Sequence, residues 1–279
     1  MTGNIWNRYC RELLKWPPVR ESILLLAFIL SGPTFMAQQV FDAPHSQFKV
    51  DNMGQLYTLS DNGIDLYRPD GKHFIHYSED LLGSISRMDR TSSMRILLFY
   101  DNIPGFQLLD NTLSPHGTLF DLNQEDFFYI SSVCSSVNNI YWGFDRVNNE
   151  LLRFNDQYRV IDRTGDMRTV LGFTLDPVQM MEYDNRLYLA DEMEGIFVFD
   201  QFGTYLRTLP IEGVTSFDVE GGVLAYTDGK RVGCYTLDSY QDELVTLPES
   251  IQEVKGVDIG KRSIYIGDGH RIHKMMLDR

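Results

Sequence analysis

Histidines and carboxylates are the side chains of this chain whose types and spacing could do chemistry. His73 and His76 stand three apart, as do His270 and His273, and histidine is the commonest metal ligand and general base. Residues three apart on a strand point to opposite faces, so neither pair is expected to present two ligands together. His45 and His116 fall in loop-like sequence without a cysteine or carboxylate cluster at metal spacing, and a hydrogen-bonded polar role is expected for all six histidines. The acids Asp51, Asp89, Glu182, Asp184, Asp218, Glu220 and Asp258 form a second resource. A calcium ion would need six to eight oxygens converging from several segments, while Asp51, Asp184 and Asp258 equally suit turns between strands. No G-x-S-x-G elbow, Cys-x-x-Cys pair, P-loop or strand-to-helix G-x-G-x-x-G occurs, so the usual signatures of acyl transfer, thiol redox and nucleotide chemistry are missing.

The elements that must position these groups follow from a repeat. Six apolar runs close on an aspartate, at Asp61, Asp101, Asp145, Asp191, Asp228 and Asp268, spaced 40, 44, 46, 37 and 40 residues apart. A second aspartate follows each at offsets of 9, 9, 11, 9, 10 and 10: Asp70, Asp110, Asp156, Asp200, Asp238 and Asp278. All twelve are read as turn formers, because an aspartate carboxylate accepts hydrogen bonds from its own turn backbone. Each unit parses into four short strands, and a period of about 41 residues with four strands per unit is the signature of a β-propeller. The predicted fold is all-β, a six-bladed propeller of four-stranded blades. The last unit ends after its third strand, RIHKMML, and QQVFD at 38–42 is free to supply the fourth. The N-terminal strand is therefore expected to complete the last blade and close the ring, which removes an exposed edge.

The segment DEMEGIFVFDQFG, Asp191 to Gly203, resembles NHL-type six-bladed propeller repeats. RILLFYDN with FQLLDNTLS, Arg95 to Ser114, and GIFVFDQFGTY, Gly195 to Tyr205, look like a family of small secreted propeller proteins of the Bacteroidetes. That resemblance spans the mature chain and implies an accessory part of the type IX secretion apparatus at the outer membrane. It supplies no catalytic motif.

Residues 1–37 read as a signal peptide: Arg8, Arg11, Lys15 and Arg20 precede the eight-residue run ILLLAFIL, and cleavage is expected after Ala37. The run is too short for a stable membrane span, so no transmembrane anchor is expected once the leader is removed. Residues 38–279 are read as one propeller domain carrying 21 basic and 37 acidic residues, a net charge of −16. Such a balance repels phosphate backbones and disfavours nucleic acid. Cys134 and Cys234 fall in different repeats and are expected as buried thiols.

The role expected from these features is a non-catalytic scaffold that binds envelope or outer-membrane proteins in the periplasm, with no enzymatic activity, cofactor or metal. Irregular connections offer the binding surface, and Phe127, Phe128 and Tyr129 are the candidate contacts. Two alternatives stand beside it. One is a metal-dependent hydrolase of lactonase type using axial carboxylates; the other is a sensor domain with an aromatic-lined pocket for a sugar or peptide.

Overall fold

A computed structural model describes residues 37–277 apart from 80, 91–94, 123–128, 158 and 261. The expected leader through residue 36, Phe127, Phe128 and Asp278 lie outside the described residues. The chain forms six four-stranded antiparallel sheets. Strand β1 (Ala37–Asp42) comes first, and blade 1 follows as β2 (Gln47–Val50), β3 (Leu56–Ser60), β4 (Gly63–Tyr67) and β5 (His73–Tyr77). Blade 2 is β6 (Arg87–Asp89), β7 (Arg95–Tyr100), β8 (Gly105–Asp110) and β9 (Pro115–Asp121). Blade 3 is β10 (Ile130–Ser135), β11 (Tyr141–Asp145), β12 (Glu150–Phe154) and β13 (Val160–Arg163). Blade 4 is β14 (Pro177–Tyr183), β15 (Arg186–Asp191), β16 (Gly195–Asp200) and β17 (Tyr205–Leu209). Blade 5 is β18 (Ser216–Glu220), β19 (Val223–Thr227), β20 (Val232–Thr236) and β21 (Gln241–Leu244). Blade 6 is β22 (Gly256–Ile259), β23 (Ser263–Gly267) and β24 (Arg271–Met276), with β1 as its outer strand.

Burial explains why these runs are strands. The second and third strands of a blade are covered on both faces by neighbouring blades, so they read as nearly continuous apolar runs such as RILLFY and GIFVFD. The fourth strands face solvent, and β21 is exposed along its whole length. Most of the core lies between blades: Phe99, Phe106 and Phe120 of blade 2 pack with Tyr141, Leu152 and Phe154 of blade 3, and Trp142 and Phe144 pack with Leu187, Phe197 and Phe199 of blade 4. Full burial of each such side chain contributes about 1.5–3 kcal/mol. Gly63 and Gly195 open their third strands at φ +120° and +104°; a Cβ there would lie 2.2 Å from the Tyr77 carbonyl oxygen and 2.5 Å from that of Leu209, so the approach of the fourth strand requires glycine.

The seam forms as expected. Val40, Phe41 and Asp42 pair with His273, Ile272 and Arg271, and the backbone amides of Ala43 and His45 extend the clasp to the carbonyls of His270 and Gly269, at 3.0 and 2.9 Å. Phe41, Ala43 and Ile272 then pack against Phe48 and Leu56 of blade 1. Among the described residues no helix is long and apolar enough to cross a membrane.

Candidate functional site: the axial channel

The first strand of every blade stands at the axis, and all six run in the same sense from what we term the entry face. At equivalent positions near its start each carries Gln47, Arg87, Ser132, Gln179, Ser216 or Gly256, and these six line a cavity of about 180 Å³ at the entry mouth. Two residues further along the strands stand Lys49, Asp89, Cys134, Met181, Asp218 and Asp258. All of these except Cys134 line a second cavity of about 470 Å³, which they share with Asp51, Arg90, Glu182, Tyr183, Glu220, Arg262 and Tyr265 at the other end. Six of the seven acids singled out in the sequence thus converge on one space. Asp184 does not: it occupies the exposed turn between β14 and β15 with φ +49°. Asp258, which the sequence places equally well at a turn, lies inside β22 and is buried.

Polar side chains cross all six joints between blades. Gln47 donates to the Ser86 carbonyl at 2.8 Å and accepts from the Met88 amide at 3.0 Å; Gln179 makes the same pair with the carbonyl and amide of Phe217, at 2.7 and 3.0 Å. The Ser135 amide donates to Asp89 at 2.7 Å, that of Ile259 to Asp218 at 3.0 Å, and that of Val50 to Asp258 at 3.3 Å. Between blades 3 and 4 the Trp142 indole donates to Glu182 at 2.6 Å. The carboxylates and amides at the axis therefore hold the ring together as well as line the channel.

Lys49 occupies the centre of this set. Its Nζ lies 2.8 Å from Asp218 and 3.5 Å from Asp258. Burial opposes the ammonium charge, but the two acids outweigh it and raise its pKa. One cation cannot offset two buried carboxylates, so burial and the Asp218 charge push Asp258 up to about 8. Among the described residues no group of three or more His, Cys, Asp or Glu is placed to hold a metal ion; the acids of the adjacent blades 5 and 6 hold the ammonium of Lys49 from blade 1. Lys49 carries no motif of its own in the sequence, although it stands at the repeat position of Asp218 and Asp258.

One pair of histidines departs from the opposite-face expectation. His73 Nε2 and His76 Nδ1 both reach Asp65 Oδ1, at 2.7 and 2.9 Å. An irregularity in the β4–β5 pairing at Leu66 and Tyr67 breaks the two-residue alternation and brings both rings to one face. His45 is buried in the seam: Nδ1 lies 2.7 Å from the Ala43 carbonyl and Nε2 accepts from the Gly269 amide at 3.3 Å, a neutral tautomer whose pKa burial lowers. His273 is buried 3.4 Å from Asp268.

Of the repeat aspartates, Asp145, Asp191, Asp228 and Asp268 accept amides of the turns that follow them, as do Asp70, Asp110 and Asp200. Asp61, Asp101, Asp156 and Asp238 are exposed at their turns. In blade 3 the amides of Gln157 and Arg159 go to Asn155 beside Asp156. Cys134 lies in blade 3, where burial pushes its thiol well up, and Cys234 lies in blade 5; among the described residues no disulfide joins them.

A third space, a groove of about 490 Å³, crosses the entry face over blades 2 to 4 and is lined by Arg87, Asp101, Tyr129, Arg146, Asp176 and Met193 among others. Tyr129 is the one described member of the predicted contact set.

No protein-family model matches the chain, and no curated protein matches it. Solved structures do. Virginiamycin B lyase from Staphylococcus aureus is 14% identical, with 86% of this chain and 99% of that one covered and a TM-score of 0.60. A streptogramin B lyase is 15% identical over 88% and 98%, with a TM-score of 0.58. The Pan2 WD40 domain from Neurospora crassa is 9% identical over 85% and 90%, with a TM-score of 0.58. At these identities the likeness carries the propeller fold and no residue. It also corrects one expectation. The chain was expected not to be an enzyme; lyases are built on this ring, so the absence of a catalytic motif is no argument against catalysis.

Proposed function

We propose that this chain is an exported propeller that binds other proteins of the cell envelope through its entry face, in the setting of the type IX secretion apparatus. The observation that carries this reading is a row of apolar turn tips beside the groove. Ile103, Val147 and Met193 stand in the turns between second and third strands of three successive blades, 38, 59 and 77% exposed, and Tyr129 joins them at 45%. Apolar and aromatic side chains gathered beside a groove with polar walls have the composition of a protein interface. The Arg146–Asp176 ion pair, at 2.6 Å, supplies part of the polar rim. The envelope setting is supported by the resemblance to small secreted Bacteroidetes propellers and by the leader-like N-terminus. The test is capture of partners from the native envelope by the tagged protein and by the Val147→Asp, Met193→Asp double variant. Stoichiometric outer-membrane export proteins should accompany the wild type and be lost from the variant, with the melting temperature unchanged. Equal recovery by both, or no envelope protein with either, would overturn the reading.

A second reading is favoured by the Asp258–Lys49–Asp218 cluster. An acid pushed up to about 8 in the wall of a cavity can give and take a proton near neutral pH. Proton transfer at that cavity is the form a catalytic activity would take, and Asp258→Asn would abolish turnover without affecting partner capture.

A further inference from the structure

The six equivalent positions at the entry mouth are not equally satisfied. Gln47 and Gln179 each pair with an amide and a carbonyl of the next blade, Ser216 accepts from the Val257 amide at 3.4 Å, and Gly256 has no side chain. Ser132 is fully buried, and its hydroxyl has no hydrogen-bond partner; the neighbouring Ser131 hydroxyl is in the same state. Arg87, on the adjacent blade, makes no hydrogen bond or ion pair with the described residues. A half-buried guanidinium without an acceptor is costly. Its desolvation is visible in a lowered pKa, opposed only by the field of Asp101.

The electrostatics of the cavity point the same way. Its wall carries Lys49, Arg87 and Lys255 against a single acid, Asp89, in a chain whose net charge is −14. Lys49 is held by Asp218 and Lys255 by Glu253, and Asp89 accepts the Ser135 amide. Arg87 is the cation left over, and its five donors form a planar fork that matches a carboxylate.

We infer that Arg87 and Ser132 form an oxyanion site at the entry mouth of the channel, which takes one carboxylate group of a small acid. The space of about 180 Å³ admits such a head group. The planar fork of the guanidinium fits the two oxygens of a planar carboxylate, and phosphate is the competing anion that the test must separate. The inference is independent of the partner-binding reading and would survive its failure.

The test is calorimetric titration of the full chain with succinate, and separately with inorganic phosphate, at constant ionic strength in chloride. Succinate should bind one site. Arg87→Gln, which installs the residue that blades 1 and 4 carry at this position and so has a precedent within the fold, should weaken binding by about tenfold or more, the loss of one charge-assisted hydrogen bond. Ser132→Ala should weaken it by a smaller factor. In the wild type, succinate should shift the Arg87 Nε–H resonance, a readout that stands even if a variant does not fold. Unchanged affinity in Arg87→Gln, a stationary Arg87 resonance, or no binding at millimolar succinate would show a merely solvated side chain. Tighter binding of phosphate would overturn the assignment to a carboxylate.

Discussion

Lys49 stands where a divalent cation would be expected among converging acids, and it brings only one positive charge to two carboxylates. The remaining charge is removed by a proton on Asp258, which makes the cluster sensitive to pH. An acid whose pKa is raised on folding stabilises fully below its unfolded value of 3.8, and that contribution is lost as pH rises through its folded value of about 8. His45 has the opposite sign: its lowered pKa costs stability as pH falls below 6.5. Between pH 6.5 and about 8 the unfolded His45 loses its remaining charge, so its contribution dies away and Asp258 dominates the slope in the upper part of that window. Thermal melts across that upper part should show wild-type stability falling with pH and an Asp258→Asn variant nearly flat. An equal slope in both would place the proton elsewhere. Little of this was legible in the sequence. Asp258 precedes Ile259-Gly260 and so resembles a turn acid, and nothing local shows that Lys49, more than 160 residues from Asp218 in the chain, completes the cluster.

At the scale of elements, the side chains that staple each first strand to the next carry the blade contacts nearest the axis. Gln179 satisfies both the amide and the carbonyl of Phe217, so Gln179→Ala leaves two backbone groups without partners. A loss of about 1–3 kcal/mol is expected in urea unfolding, and a loss within error would mean that water replaces the staple. The strands themselves were readable, because a run such as GIFVFD is apolar on both faces only if both faces are covered. What lay beyond the sequence was interaction across blades, since Gln47 and Gln179 look like ordinary polar residues until the ring sets their neighbours. The His73–His76 pair shows a second limit: a single irregularity in the β4–β5 register overrides the alternation on which the opposite-face expectation rests. Turn chemistry was legible where an aspartate lies two and four residues before the amides it accepts, as at Asp200, and less so where Asn155 does the same work beside Asp156.

For the whole molecule, six repeats were visible in the spacing of the aspartates, and ring closure was visible in the missing fourth strand of the last unit. Removing 38–43 should expose the edge of β24 and take Phe41 and Ala43 out of the core, at a cost of about 3–5 kcal/mol. Melting with light scattering should show a lower transition followed by aggregation, and an unchanged transition would mean that the seam contributes nothing.

The same seam has a consequence for biosynthesis. Of the strands of the ring, β1 is made first and its partner β24 last, so five blades can be complete while the ring is still an open arc. A chain cut short by a premature stop or a protease lacks the strand its beginning must meet. Such a chain cannot close, because of all the ring's strands the one that β1 must meet is the last to emerge.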